Sequence, residues 1–458
     1  MEKEQVEKNE EQLKEEAKKI SIKEGAAFSV MEGMGVRYIT PYALALGAQN
    51  FMVGILSSLP ALLGNFSQIK TIKLMRKYPR KKIVRSTTFL QAVSWIPIIF
   101  IGFLFMSNKI SILTSSVLLI IFYTLMTTFG ALANPAWNSW MKDVVKKSSG
   151  EYFGRKSRIS GAIALISMLL AGFILDYFEK TNIFLGFAII FSIATIGRII
   201  SSNYFVKKYE PELKYDEKTY FTFKQFAGKM LSNNFGHFVL FVSLITLATA
   251  IASPFFAVYM LKNLRLSYSA YTIVTISSII STLIFLPFHG RLIDKHGSIK
   301  IMKISGALVA LIPALWLAPE AISQNSVVAY LIIVEIFSGF IWAAFNLAAS
   351  NFIYDAVTRQ RMPICITYFN IINAFSALLG ALLGGILSHY ETIFSVSSIL
   401  FVFALSAFVR LAVFFFISPS VKEVRPVEPI SMKEVKQKMK IGTPNIIDLI
   451  GLKQLRTK

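Results

Sequence analysis

The sequence predicts an all-α membrane protein with twelve transmembrane helices in two pseudo-symmetric six-helix bundles. Three observations predict it. About twelve long apolar runs alternate with short charged breaks, positive charge concentrates in every other break, and the second half repeats the plan of the first. The 458 residues are 54% hydrophobic and 16% charged, with mean hydropathy +0.56, whereas soluble domains carry about 25% charged residues. A spanning helix needs roughly 20 mostly apolar residues, because hydrocarbon offers no water to an unpaired backbone group.

In chain order, residues 1–24 read as a solvated helical tail, rich in Glu and Lys and lacking the short apolar core of a cleavable signal peptide. Spans near 26–46, 51–69, 86–106, 112–133, 159–177 and 183–205 make the first bundle, 25–205. A polar linker, 206–235, leads to spans near 238–261, 271–288, 301–317, 327–348, 364–388 and 393–417, which make the second bundle, 236–417. A basic tail, 418–458, closes the chain.

The net charge of +22 raises nucleic acid as a partner, but its placement argues against it. One set of breaks holds the cluster from Lys70 to Arg85, then Lys142, Arg155, Lys156 and Arg158, and later Arg291, Arg359 and Arg361; the alternate breaks hold only Lys109, Lys180, Lys262 and Arg265. Short loops rich in Lys and Arg stay in the cytoplasm. The expectation is a multi-pass plasma-membrane protein with both termini cytoplasmic and no nucleic-acid partner. The single cysteine, Cys365, allows neither an internal disulfide nor a cysteine-based zinc site.

The repeat is visible residue by residue. The segment from Asn134 to Asp143 closes the fourth span, and that from Asn346 to Asp355 closes the tenth, at an offset of 212; the same offset relates Arg198 to Arg410. Thr40, Pro41 and Tyr42 match Ser253, Pro254 and Phe255 at an offset of 213. With an even number of spans per half, the two repeats share one orientation.

Between spans eight and nine the sequence reads Gly290-Arg-Leu-Ile-Asp294-Lys-His-Gly297. Gly290 is expected to let helices approach closely, Asp294 to sit at a helix end, and Gly297 to permit a tight turn. This loop resembles the signature of the major facilitator superfamily, and the likeness extends over about residues 25–417. The first-half copy, Gly64-Asn-Phe-Ser-Gln68, has Gln68 in place of the expected acid. The segment around Trp137, Trp140 and Asp143, followed by Gly150 to Arg155, is similar to an efflux-type branch of that superfamily. The resemblance implies that spans one, four, seven and ten line a central cavity and that three, six, nine and twelve support it.

Ionisable residues inside spans are costly and suggest function. Glu32 and Arg37 lie in span one; five residues at about 100° each set them roughly 140° apart on a continuous helix, so each is expected to meet a partner elsewhere. Glu335 in span ten, and its repeat mate Tyr123 in span four, complete the set of proton-coupling or substrate candidates with Asn370 and Asn373, which share a face of span eleven. Arg198 and Arg410 are expected to be structural or gating residues that snorkel or bind the loop acids Asp143 and Asp355. Asp143, Asp355, Asp294, Arg155 and Arg359, with Gly290 and Gly297, are expected to form a cytoplasmic gate.

No phosphate-binding loop, H-E-x-x-H or G-x-S-x-G pattern occurs. The reading is a non-enzymatic secondary transporter, without cofactor or metal, that moves a small organic solute by alternating access as a monomer, with proton-coupled efflux as the leading mode. Uptake of a sugar, nucleoside or organic acid is the alternative. A non-transporting sensor or a lipid-moving protein is the alternative of another class.

Overall fold

The computed structural model describes residues 2–145, 149–211, 223–228, 230–358 and 361–424. Helix α1 runs Glu2–Met34, a 3-10 turn follows at Val36–Tyr38, and α2 is Ile39–Ala45. Then come α3 (Asn50–Met75), α4 (Arg80–Val93), α5 (Trp95–Met106), α6 (Ile112–Val144), α7 (Ser149–Glu179) and α8 (Ile183–Lys207). The rest comprises α9 (Phe223–Gly228), α10 (Asn234–Ala252), α11 (Phe255–Val258), a π-helical turn at Tyr259–Asn263, α12 (Tyr268–His296), α13 (Ser298–Val309), α14 (Leu311–Leu315), α15 (Gln324–Ala356), α16 (Met362–Leu387) and α17 (Ser398–Ile417). A two-residue-per-strand hairpin, β1 (Thr392–Ile393) and β2 (Val396–Ser397), lies before α17.

Among the described residues, eleven helical segments are long and apolar enough to cross a membrane. The broken segment from α1 to α2 supplies the remaining span of the twelve. Both halves interrupt their first span near the repeated proline: α1 ends before Gly35, and α10 ends before Ser253 and Pro254. Two further spans are broken just before a proline. Pro97 follows the α4–α5 break at Ser94, and Pro313 follows the α13–α14 break at Ala310. Each proline lacks an N–H and clashes with the carbonyl four residues back.

The chain forms two compact units, Met1–Glu217 with Pro254–Thr272, and Lys218–Ser253 with Ile273–Lys458. In the first, Pro254–Thr272 is held by side chains of that unit. The Tyr38 hydroxyl lies 2.6 Å from Thr272 Oγ1, and both carboxylate oxygens of Asp176 accept from the Ser269 N–H at 3.2 Å. Lys262 Nζ donates to the Ala48 carbonyl at 3.1 Å.

The N-terminal tail departs from expectation. Ala17 and Ser21 are fully buried, and Glu24 pairs with Lys156 at 3.4 Å. Residues 17, 21 and 24 follow helical spacing, so one face of α1 stays inside before the apolar span begins. Ala17 belongs to the buried cluster that holds Ile83, Val84, Trp140, Met141 and Phe205. The core of the second unit gathers Phe238, Phe241, Met302, Phe345 and Phe352.

Candidate functional site

In the first unit, Glu32 and Arg37 meet. Arg37 Nε lies 3.8 Å from Glu32 Oε1, with the side chains 46% and 33% exposed. This corrects the expectation of separate partners. The 140° separation assumed one continuous helix, but α1 ends at Met34 and the chain turns through Gly35 into a 3-10 segment. The flanking glycines let neighbouring helices pack closely here. A methyl on Gly33 would overlap the Ala164 carbonyl and the Ser167 side chain of α7, and one on Gly35 would strike the Trp95 ring. Tyr123 of α6 interacts electrostatically with both Glu32 and Arg37, so three of the candidates are gathered here.

In the second unit, Glu335 on α15 shares a hydrogen bond with Ser278 on α12. One turn along, Gly339 brings α15 against the Ser278 backbone so closely that a methyl would overlap its carbonyl oxygen. Ser281 Oγ donates to the Ile336 carbonyl at 2.6 Å, and Thr282 Oγ1 to the Gly339 carbonyl at 3.1 Å. A polar stripe on α12 therefore faces the turn that carries Glu335. Asn373 on α16 accepts from Thr246 on α10 at 3.1 Å. Asn370 is half-buried on the same helix, one turn earlier.

The two symmetry-related arginines do not reach the loop acids. Arg198 Nε donates to Gln91 Oε1 at 2.8 Å, Nη1 donates to Ser201 at 3.0 Å, and the guanidinium lies 4.7 Å from the Phe28 ring centre. It stands nine residues before the end of α8, roughly 14 Å at 1.5 Å per residue, too deep to reach Asp143 near the end of α6. Arg410 Nη1 donates to the Val309 carbonyl at 2.9 Å. That carbonyl lies four residues before Pro313, so the arginine serves the acceptor that the proline leaves unpaired.

Asp143 binds Arg80 instead. Arg80 is buried and also meets Glu210 at 3.3 Å, Ser139 at 3.2 Å and the Pro211 carbonyl at 2.6 Å. Glu210 accepts from the Arg80 and Lys81 backbone N–H groups at 2.8 and 3.2 Å, which caps the N-terminus of α4. In the second unit Glu423 accepts from the Ile299 N–H at 2.8 Å and caps α13 in the same way. Sequence reading missed Arg80, Glu210 and Glu423. Glu210 and Glu423 are 213 apart, so the offset already found at the prolines marks them. Beside this network the Lys208 ammonium is buried, and burial lowers its pKa from the ordinary 10.5 to about 7.

Arg155 and Asp294 are exposed, Asp355 is half-buried near the end of α15, and Arg359 lies outside the described residues. Gly297 has φ +89° and makes the expected turn between α12 and α13. Gly290 does not serve close helix approach, because a methyl there would meet nothing nearer than Leu347 at 3.9 Å. Among the described residues no group of three His, Cys, Asp or Glu side chains is placed to hold a metal.

The profile of the Major Facilitator Superfamily matches residues 25–234 and again 238–456. No curated protein matches the chain. Among solved structures, the nucleoside transporter NupG is similar over 90% of this chain and 99% of its own, with TM-score 0.64 and 14% identity. A bacterial homologue of the iron transporter ferroportin in an inward-facing state is similar over 89% and 98%, with TM-score 0.62 and 12% identity. A bacterial metal transporter follows at 89% and 97%, TM-score 0.59 and 12% identity. At these identities the likeness is one of fold. With both halves matched by the same family profile, this chain belongs to the Major Facilitator Superfamily.

Proposed function

We propose that this membrane transporter exports a small organic solute in exchange for protons, by alternating access, with Glu32 and Glu335 as proton carriers. The observation that carries the reading is the Glu32–Arg37 pair at a break in an otherwise apolar span, with Glu32 one-third exposed and both within electrostatic reach of Tyr123. A carboxylate held by a neighbouring cation yet open to solvent can exchange that cation for a proton when a ligand draws the arginine away. Glu335, tied to Ser278 by a hydroxyl that tolerates either protonation state, supports a second carrier. The transporter works as a monomer in the plasma membrane, with both termini cytoplasmic.

A thermal-shift ligand screen on the purified protein supplies a substrate. Proteoliposomes loaded with it and a pH-sensitive dye then report substrate and proton movement together. Glu32→Gln and Glu335→Gln are expected to keep binding while losing at least tenfold in proton-driven flux. Proton-coupled flux unchanged in both variants removes both residues as carriers, and ligand binding without any flux replaces the transporter reading by a sensor.

A further inference from the structure

The first residues of the linker are docked into the end of the first unit at three points. The Tyr209 carbonyl accepts from Trp140 Nε1 at 2.8 Å. Glu210 caps α4 and holds Arg80, and Arg80 in turn binds the Pro211 carbonyl. Lys208 is the odd member. Its side chain is fully buried, and its Nζ has no hydrogen-bond partner. The nitrogen instead sits in an aromatic box, 4.6 Å from the Trp140 ring centre, 5.5 Å from Phe205 and 5.6 Å from Trp137. An ammonium normally donates three hydrogen bonds, and a buried one without them is costly; ring faces offset part of that cost.

We propose that residues 208–211 form a pH-sensitive latch, held closed while the Lys208 amine is neutral and loosened when acidification charges it. The charged groups around the amine are few. Glu24 on α1 favours the ammonium, whereas Lys156 on α7 opposes it and is itself committed to Glu24 and Ser21 and stacked 4.2 Å from Trp137. Arg80 on α4 pairs with both Asp143 on α6 and Glu210 on the latch, and neither carboxylate bonds the Lys208 amine. The Tyr152 hydroxyl on α7 donates to the Lys18 carbonyl. A single carboxylate therefore faces two amines in this pocket, and Glu24 is already bound to the other one.

The sign follows from linkage. The docked amine, with pKa about 7, binds fewer protons than the free one, at 10.5. Docking therefore weakens as pH falls from about 10 to about 7 and levels off below that. Between pH 8.5 and pH 7 the docking constant should fall roughly fifteenfold. Release of these residues would free the start of the linker that joins the halves.

The test is hydrogen exchange in the full-length protein of the backbone amides that docking ties down, divided by unstructured-peptide rates to give protection factors: Arg80 and Lys81, which donate to Glu210 at 2.8 and 3.2 Å, and Lys208, which donates to the Phe205 carbonyl at 3.3 Å. The expected result is a roughly fifteenfold loss of protection in the wild type from pH 8.5 to pH 7. Lys208→Met, an apolar side chain in an apolar box, should stay protected at both pH values. Lys208→Arg, charged throughout, should be weakly protected at both. Wild-type protection that is equal at the two pH values overturns the proposal without recourse to any variant. So does an undiminished pH effect in Lys208→Met, or wild-type behaviour in Lys208→Arg.

Discussion

At the scale of single residues, the charges that matter most are those whose partners come from distant sequence. Arg80 looks like one more basic residue in a break that sets membrane orientation, yet it is buried and serves Asp143, Glu210, Ser139 and the Pro211 carbonyl at once. Removing it leaves two carboxylates facing each other without their cation. Breaking a buried pair typically costs 3–5 kcal/mol; because Asp143 is about one-third exposed, Arg80→Ala should cost about 2–3 kcal/mol. Thermal unfolding in detergent measures this. Arg80→Lys, which keeps the charge but loses the fork that reaches several acceptors, should recover only part of the loss. An unchanged melting temperature in Arg80→Ala would mean that the network contributes nothing net. Arg410 shows the complementary case, a charge used as a hydrogen-bond donor to a carbonyl that Pro313 leaves free.

At the scale of helices, glycines that look alike in sequence do opposite things. Gly339 lies where α15 meets the α12 backbone at Ser278, one turn from Glu335, whereas Gly290 faces only the tip of Leu347. The signature-loop resemblance drew attention to Gly290, but nothing local distinguishes a helical glycine that packs from one that does not, since the difference lies in the neighbouring helix. Gly339→Ala should force α12 and α15 apart and cost about 1–3 kcal/mol. Gly290→Ala should be neutral or stabilise by up to about 1 kcal/mol through helix propensity. Melting temperatures of the two variants, measured side by side, check both directions. Equal destabilisation would restore Gly290 as a packing residue. The same limit explains the Glu32–Arg37 pair. Residue spacing gives an angle only while the helix continues, and Gly35 ends it.

At the scale of the whole molecule, most of the architecture was legible because lipid imposes a coarse rule that sequence obeys openly. Apolar run lengths gave the spans, and the 212–213 offset gave the duplication. Arg80 stayed hidden because its role depends on tertiary contacts between helix ends, which leave no periodicity within a segment, whereas Glu210 and Glu423 left their 213-residue spacing as the one trace of theirs. The charge bias makes a further statement about the molecule in its membrane. Breaks carrying Lys77 and Lys295 should face the cytoplasm, and those carrying Asn108 and Glu391 the outside. All four side chains are exposed, so each can be replaced singly by cysteine in a Cys365→Ser background without disturbing the interior. A membrane-impermeant maleimide applied to intact cells should label Asn108→Cys and Glu391→Cys and leave Lys77→Cys and Lys295→Cys unreacted until the cells are opened. Because 108 and 391 lie in different halves, labelling of one but not the other would contradict repeats of shared orientation. The reverse pattern at all four sites would place the basic breaks outside, and with them the Arg80 network and the Lys208 latch.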